Sequence, residues 1–248
     1  REGNSMQSLQ GQRHMAEEVV ETIRQGRTRF VYMPVIHSET EEVLFAEMLL
    51  RLERLDGTPL PVQESFMALQ RWDLMPIVMP YIVWQELVLA GGGTQPVSIN
   101  IPPEMLNSPR GRDILDELLS NYTATALLKS NLVLEIMESA FLQTHKDIRT
   151  FMEKHAKMGV QWALDDYGEG YHTLDHIKKL PIQVVKLGKP IVENLMFDTA
   201  KDMDALFDLA EARQLILVAE HTPTLSAAQK LRETYGISYV QLTRDVKK

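Results

Sequence analysis

Eight short β-rich runs recur along this chain, at 29–36, 43–50, 97–101, 132–136, 160–165, 182–187, 215–219 and 238–242. Segments of helical periodicity separate most of them, at 111–122, 146–157, 173–179, 202–211 and 225–233. Strands alternating with helices imply parallel pairing, and eight such units imply closure into a (β/α)₈ TIM-like barrel. The length of 248 residues suits one such barrel. Only six residues, 37–42, join the first two runs, too few for a crossover helix. They are expected to pair antiparallel, which gives the barrel an irregular antiparallel first strand. An open doubly wound sheet is the competing arrangement.

Two segments sit outside the regular alternation. The stretch 65–90 is apolar at helical spacing, and Pro76 and Pro80 are expected to break it into two or more helices. The amphipathic stretch 6–24 precedes the first strand. It reads either as a helix packed on the barrel floor or as a signalling helix from an upstream regulatory domain. The expected division is a linker helix over 1–28 and the barrel over 29–248. The chain opens at Arg1 rather than Met, as expected of a fragment or a processed protein.

Composition narrows the partners. At 44% hydrophobic residues the chain can bury a large core, yet no apolar run approaches the ~18–20 residues that cross a bilayer. The first thirty residues are polar and of mixed charge, unlike a signal peptide. The absence of cysteine rules out disulfides and thiolate metal sites. A net charge of −8 opposes binding to duplex nucleic acid, but not to a small anion bridged by cations. A cytoplasmic location and no membrane contact by this segment are expected.

Polar side chains inside a barrel are costly unless they are paired or hold metal. Here they gather at the C-terminal ends of the proposed strands, where barrel enzymes keep their chemistry. Glu47 lies on the second strand, Asn100 ends the third and Glu135 the fourth. Asp165 and Asp166 end the fifth, Lys186 the sixth, Glu220 the seventh and Gln241 the eighth. One such acid alone would be a solvated strand end or a helix cap; the whole series points to a metal-binding mouth. The donors are hard oxygens with no sulfur or histidine, which favours Mg²⁺ or Mn²⁺ over zinc. In a continuing strand Asp165 and Asp166 point to opposite faces. A turn at Tyr167-Gly168 is expected to swing Asp166 back, so that the pair serves two ions about 3.5–4 Å apart.

Several weaker signals are set aside. Gly91-Gly92-Gly93 lacks the Lys-Ser/Thr of a phosphate loop and reads as a turn. His172, Asp175 and His176 have metal-like spacing but fall at a helix start and read as surface residues. The thirteen methionines read as core filler, and Trp72, Trp84 and Trp162 as barrel–helix packing.

At these residues the chain resembles the EAL domains, which bind and often hydrolyse cyclic di-GMP. The resemblance runs from about Phe30 to Gln241. The run 30–35 (FVYMPV) resembles the family's "VYQPI" strand, and Glu47-Met48-Leu49-Leu50-Arg51 stands at the EAL signature. Ser98-Ile99-Asn100 matches "SVN", and the run 134–139 (LEIMES) matches "LEITES". The run 163–171 (ALDDYGEGY) matches "ALDDFGTGY"; "LPVDVLK", "VAE" and "YVQ" follow at 180–186, 218–220 and 239–241.

The resemblance implies that Glu47, Asn100, Glu135 and Asp165 ligate a first metal, and that Asp165 and Asp166 hold a second. It implies that Glu220 stands near the attacking water as ligand or base and that Lys186 assists that water. Glu138 would orient the loop after the fourth strand, and Arg51 and Gln241 would contact the dinucleotide. The implied reaction converts cyclic di-GMP to linear pGpG. A homodimer formed through the segment after the Asp-Asp pair, and an upstream regulatory or GGDEF-type domain, are also implied.

The departures cluster on the second-metal side. Gly188 stands where "KID" has its carboxylate, and His221-Thr222-Pro223 stands where "AEGVE" has Gly-Val-Glu. Met33 replaces a ligand-contacting Gln, and Leu242-Thr243 replaces Gly-Tyr. Three functions follow: a slow metal-dependent phosphodiesterase, a catalytically silent cyclic di-GMP receptor, or a protein-interaction module.

Overall fold

A computed structural model describes residues 2–125, 132–137, 145–169, 174–199 and 203–243. The strands are β1 (Thr28–His37), β2 (Val43–Glu53), β3 (Pro59–Leu60), β4 (Val97–Ile101), β5 (Leu132–Met137), β6 (Gln161–Tyr167), β7 (Val184–Leu187), β8 (Ile216–Thr222) and β9 (Tyr239–Leu242). The helices are α1 (Glu2–Arg24), α2 (Val62–Arg71), α3 (Met75–Gly91), α4 (Pro103–Asn107), α5 (Pro109–Thr125), α6 (His145–Lys157), α7 (Leu174–Lys179), α8 (Lys189–Met196), α9 (Asp204–Arg213) and α10 (Leu225–Tyr235).

The sheet runs β1-β9-β8-β7-β6-β5-β4-β2-β3, and an additional β1–β2 pairing closes it. Eight strands therefore form the barrel, with β3 an appendage on β2. As the short 37–42 connection requires, β1 is antiparallel to both β2 and β9, while the pairs from β2–β4 round to β8–β9 are parallel. The open-sheet alternative falls to this closure.

Side chains alternate across each strand, so residues two apart share a face. One apolar layer fills the barrel interior with Val35, Phe45, Val133, Ala163, Val184 and Val218. Two residues further along five of these strands stand Glu47, Glu135, Asp165, Lys186 and Glu220. The outward faces pack on the helices through residues such as Leu134, Trp162, Leu164 and Val185.

Two expectations change. Pro80 lies inside α3 without ending it; the helix break falls at 72–74, and Pro76 sits in the first turn of α3, where its missing N–H costs nothing. The helix preceding β1 is not on the barrel floor. Because β1 is antiparallel, Thr28 pairs with Leu52 at the far end of β2, so α1 joins the barrel at its mouth. There Ala16, Val19 and Ile23 are buried, and Arg54 bonds Glu18 at 3.0 Å.

Candidate metal centre at the barrel mouth

The mouth is organised around one ammonium group. Lys186 Nζ lies 2.7 Å from Glu135 Oε2, 2.8 Å from Asp165 Oδ1, 2.9 Å from Glu220 Oε1 and 3.3 Å from Glu47 Oε2. The Asp165 contact is an ion pair without hydrogen-bond geometry. Gln241 Nε2 donates to Glu47 Oε2 at 2.8 Å, and Asn100 Nδ2 donates to Glu47 Oε1 at 3.1 Å. Seven residues expected at the mouth from separate strands are thus brought together.

Asp166 joins them by a different route from the one expected. It takes a left-handed φ of 54°, and the β6–β7 register shifts between Leu164 and Tyr167. This irregularity re-aims the side chain before the Tyr167-Gly168 turn is reached; Asp is among the few residues that tolerate that conformation. Strand β8 repeats the device, with His221 at φ 50° and a register shift between Ala219 and Thr222. One carboxylate oxygen each from Asp165, Asp166 and Glu220 lies within 4.8 Å of the others.

The electrostatics follow from one cation among several buried acids. Burial works against the charge on Lys186, but the surrounding carboxylates outweigh it and hold the ammonium well above the ordinary lysine range. Burial pushes Glu135 well up, against the pull of Lys186, and takes Glu220 to about 8. Burial and the neighbouring Asp165 charge raise Asp166 to about 6. Burial also pushes Glu47 up, but Lys186 and the donors Gln241 and Asn100 win and hold it below the usual carboxylate range.

These residues fit a divalent cation. Buried Glu135 Oε1 and Glu220 Oε2 have no hydrogen-bond partner among the described residues, and the negative charge exceeds what one lysine balances. An oxygen-only donor set suits a hard divalent cation.

Other expected residues lie less centrally. Arg51, on the same β2 face as Glu47, donates to the Leu50 carbonyl at 2.8 Å. Glu138 and His172 lie outside the described residues. Asp175 pairs with Lys179 on α7, and His176 is half-buried. Glu169 escaped the sequence reading. A Cβ added to Gly188 would lie 2.7 Å from Glu169 Cγ, so the Glu169 side chain fills the space beside position 188, just after β7, where the family pattern has a carboxylate. Its charge also acts on Asp166.

A closed α/β barrel with an acidic, cation-seeking centre at its strand C-termini is the class that fold and site define. The chain belongs to the EAL domain family, which it matches over residues 16–241. It is 28% identical over 220 residues to an uncharacterized protein of Mycobacterium tuberculosis, covering 84% of this chain and 34% of that protein. It is 25% identical over 197 residues to the cyclic di-GMP phosphodiesterase PdeA of Borreliella burgdorferi, covering 75% of this chain and 28% of PdeA. The chain thus spans about a third of the length of these curated relatives. The solved cyclic di-GMP complex of the PaMucR phosphodiesterase matches with a TM-score of 0.76 at 20% identity, over 92% of this chain and 94% of that one. That likeness establishes the shared fold.

Proposed function

We propose that this domain binds cyclic di-GMP across the barrel mouth and hydrolyses one of its phosphodiester bonds to give linear pGpG, with Mg²⁺ or Mn²⁺ as cofactor. The convergence of Asp165, Asp166 and Glu220 oxygens beside the buried Lys186 carries this reading. Glu47, Asn100, Glu135 and Asp165 would hold one ion, and Asp165 and Asp166 a second. When bound, the metals supply charge neutralisation and a lowered water pKa. Glu220 in its ionised form takes the proton of the attacking water; the burial that pushes its carboxyl to about 8 makes that carboxylate a stronger base. Lys186 balances the acids and faces a developing phosphate charge. Arg51 and Gln241 contact the dinucleotide, and Glu138 positions the loop after β5. An anionic ligand at so acidic a mouth needs these cations between it and the carboxylates.

A second reading is a catalytically silent receptor. It draws on Lys186, whose ammonium already engages Glu47 and Glu135, two of the first-metal ligands, and on Gly188 and Pro223, where the family pattern has acids. In either case α1 and residues up to 28 would link the barrel to an upstream regulatory or GGDEF-type domain in a bacterial cytoplasmic protein.

Calorimetry with cyclic di-GMP in Ca²⁺, followed by a pGpG assay in Mg²⁺ and Mn²⁺, decides among these. Binding with product supports the phosphodiesterase, and binding without product the receptor. No binding heat leaves only an interaction module.

A further inference from the structure

Two departures from the family pattern exchange one acid between strands. Position 188 lacks the carboxylate of "KID", and Glu169 stands where "ALDDFGTGY" has Thr. The fold brings the two positions together. Gly188 N donates to the Tyr167 carbonyl at 3.0 Å, which fixes the end of β7 against β6. Glu169 N donates to the Asp166 carbonyl at 3.1 Å, a tight turn that folds Glu169 back toward Asp166.

A Cβ at Gly188 would lie 2.7 Å from Glu169 Cγ, 3.1 Å from its Oε1 and 3.3 Å from its Cδ. One space therefore serves two side chains, and an aspartate at 188 and Glu169 as it stands exclude each other. Glu169 is exposed at the rim, and its charge acts on Asp166. Deeper in, Asp165, Asp166 and Glu220 each bring an oxygen within 4.8 Å of the others; Glu169 is not in that inner set. The inner set has unused capacity. Glu220 is only 5% exposed, and its Oε2 has no hydrogen-bond partner among the described residues.

We propose that Glu169 replaces the acid missing at position 188 and holds the second cation of the mouth from its solvent side, through a water of the ion's shell. The inference rests on the metal-binding reading of the mouth given above. Mg²⁺ sheds its waters reluctantly, so a carboxylate just beyond the inner donors acts on the ion through a retained water. Such an outer partner orients the site, and its removal lowers metal affinity about ten- to a hundredfold. Glu169 is thus a positioning residue. The competing role is purely structural: a negative charge near the start of α8, where the N-cap Gly188 offers no side chain. That role would show in stability and leave metal affinity unchanged.

The test is Mn²⁺ calorimetry on the parent chain and four variants, with thermal melts alongside. Glu169→Gln keeps the side-chain length and removes the charge; it should weaken the second, weaker Mn²⁺ uptake at least about tenfold at an unchanged melting temperature. Glu193→Gln removes an exposed acid further along α8 and should change affinity less than about twofold. Glu169→Thr should bind as poorly as Glu169→Gln, and adding Gly188→Asp to it should return the affinity to within about threefold of the parent. Uptake unmoved by Glu169→Gln, or moved no more than by Glu193→Gln, overturns the proposal. A double variant that folds but binds no better than Glu169→Thr overturns it equally, and a lowered melting temperature at constant affinity assigns Glu169 to α8 instead. A parent that forms pGpG with an affinity indifferent to Glu169 sinks this inference alone, whereas a parent that takes up no Mn²⁺ sinks the metal-binding reading with it. Affinity lost in Glu169→Gln from a parent that forms no pGpG keeps the role of Glu169 in a silent receptor.

Discussion

Lys186 Nζ stands 2.7 Å from Glu135 Oε2, and neither side chain is exposed to solvent. Glu135 also feels the Glu47 and Asp165 charges. The ammonium is therefore the keystone of the mouth. Removing one partner of a buried pair strands the other in low dielectric. Lys186→Met is expected to cost about 3–5 kcal/mol at pH 7, measured as a shift of the urea midpoint. Mn²⁺ should return part of that stability. An unshifted midpoint would show that the acids are balanced without the lysine.

Metal binding should depend on pH in a definite direction. Asp166 is raised to about 6 and Glu220 to about 8, chiefly by burial, so both carry protons that an incoming cation must displace. Mn²⁺ affinity by calorimetry is expected to rise between pH 6 and pH 8, and Asp166→Asn should weaken it at least about tenfold. A pH-independent affinity would place the ion elsewhere.

Glu86 offers a separate pH test away from the mouth. Burial without a charge partner raises its carboxyl from 4.5 to about 8, and its Oε2 has no hydrogen-bond partner among the described residues. The folded state keeps this proton between pH 4.5 and 8 and the unfolded chain releases it, so stability falls as pH rises through that window. The loss is roughly 1.4 kcal/mol per pH unit. Glu86→Met should remove that share of the slope in denaturation curves taken at pH 5.5, 6.5 and 7.5. A slope equal to that of the parent chain would mean Glu86 is ionised and paired.

The space beside Gly188 gives a steric prediction. Gly188→Asp drives a Cβ to within 2.7 Å of Glu169 Cγ and is expected to cost about 1–3 kcal/mol. Glu169→Thr vacates that space, so the double variant should recover most of the loss in thermal melts. Additive losses would show that the two side chains do not compete.

Much of this was legible in the sequence because the physics was local. The alternation of runs gave the eight barrel strands, and the 37–42 connection gave the antiparallel β1. Polar residues at the C-terminal ends of those runs located the ring from Glu47 to Gln241. What escaped depends on conformation or distance. Pro80 reads as a helix breaker, but the packing of Met79, Ile82 and Val83 carries α3 through it. The left-handed turns at Asp166 and His221 have only weak local signals, since neither residue is a glycine. The Glu169–Gly188 exchange joins residues 19 positions apart and appears only once β6 and β7 are paired. Trp72 and Trp84 read as packing because aromatics usually are buried, yet they are 42% and 47% exposed; Trp162, read the same way, is fully buried.

The most direct measurement compares pGpG release from cyclic di-GMP, in Mn²⁺, by the parent chain and by Glu47→Ala. Glu47 binds Asn100, Gln241 and Lys186 at once. The parent should form pGpG, and the variant should lose at least about a hundredfold in rate while keeping its fold. Equal rates from both would contradict a reaction centred on these carboxylates.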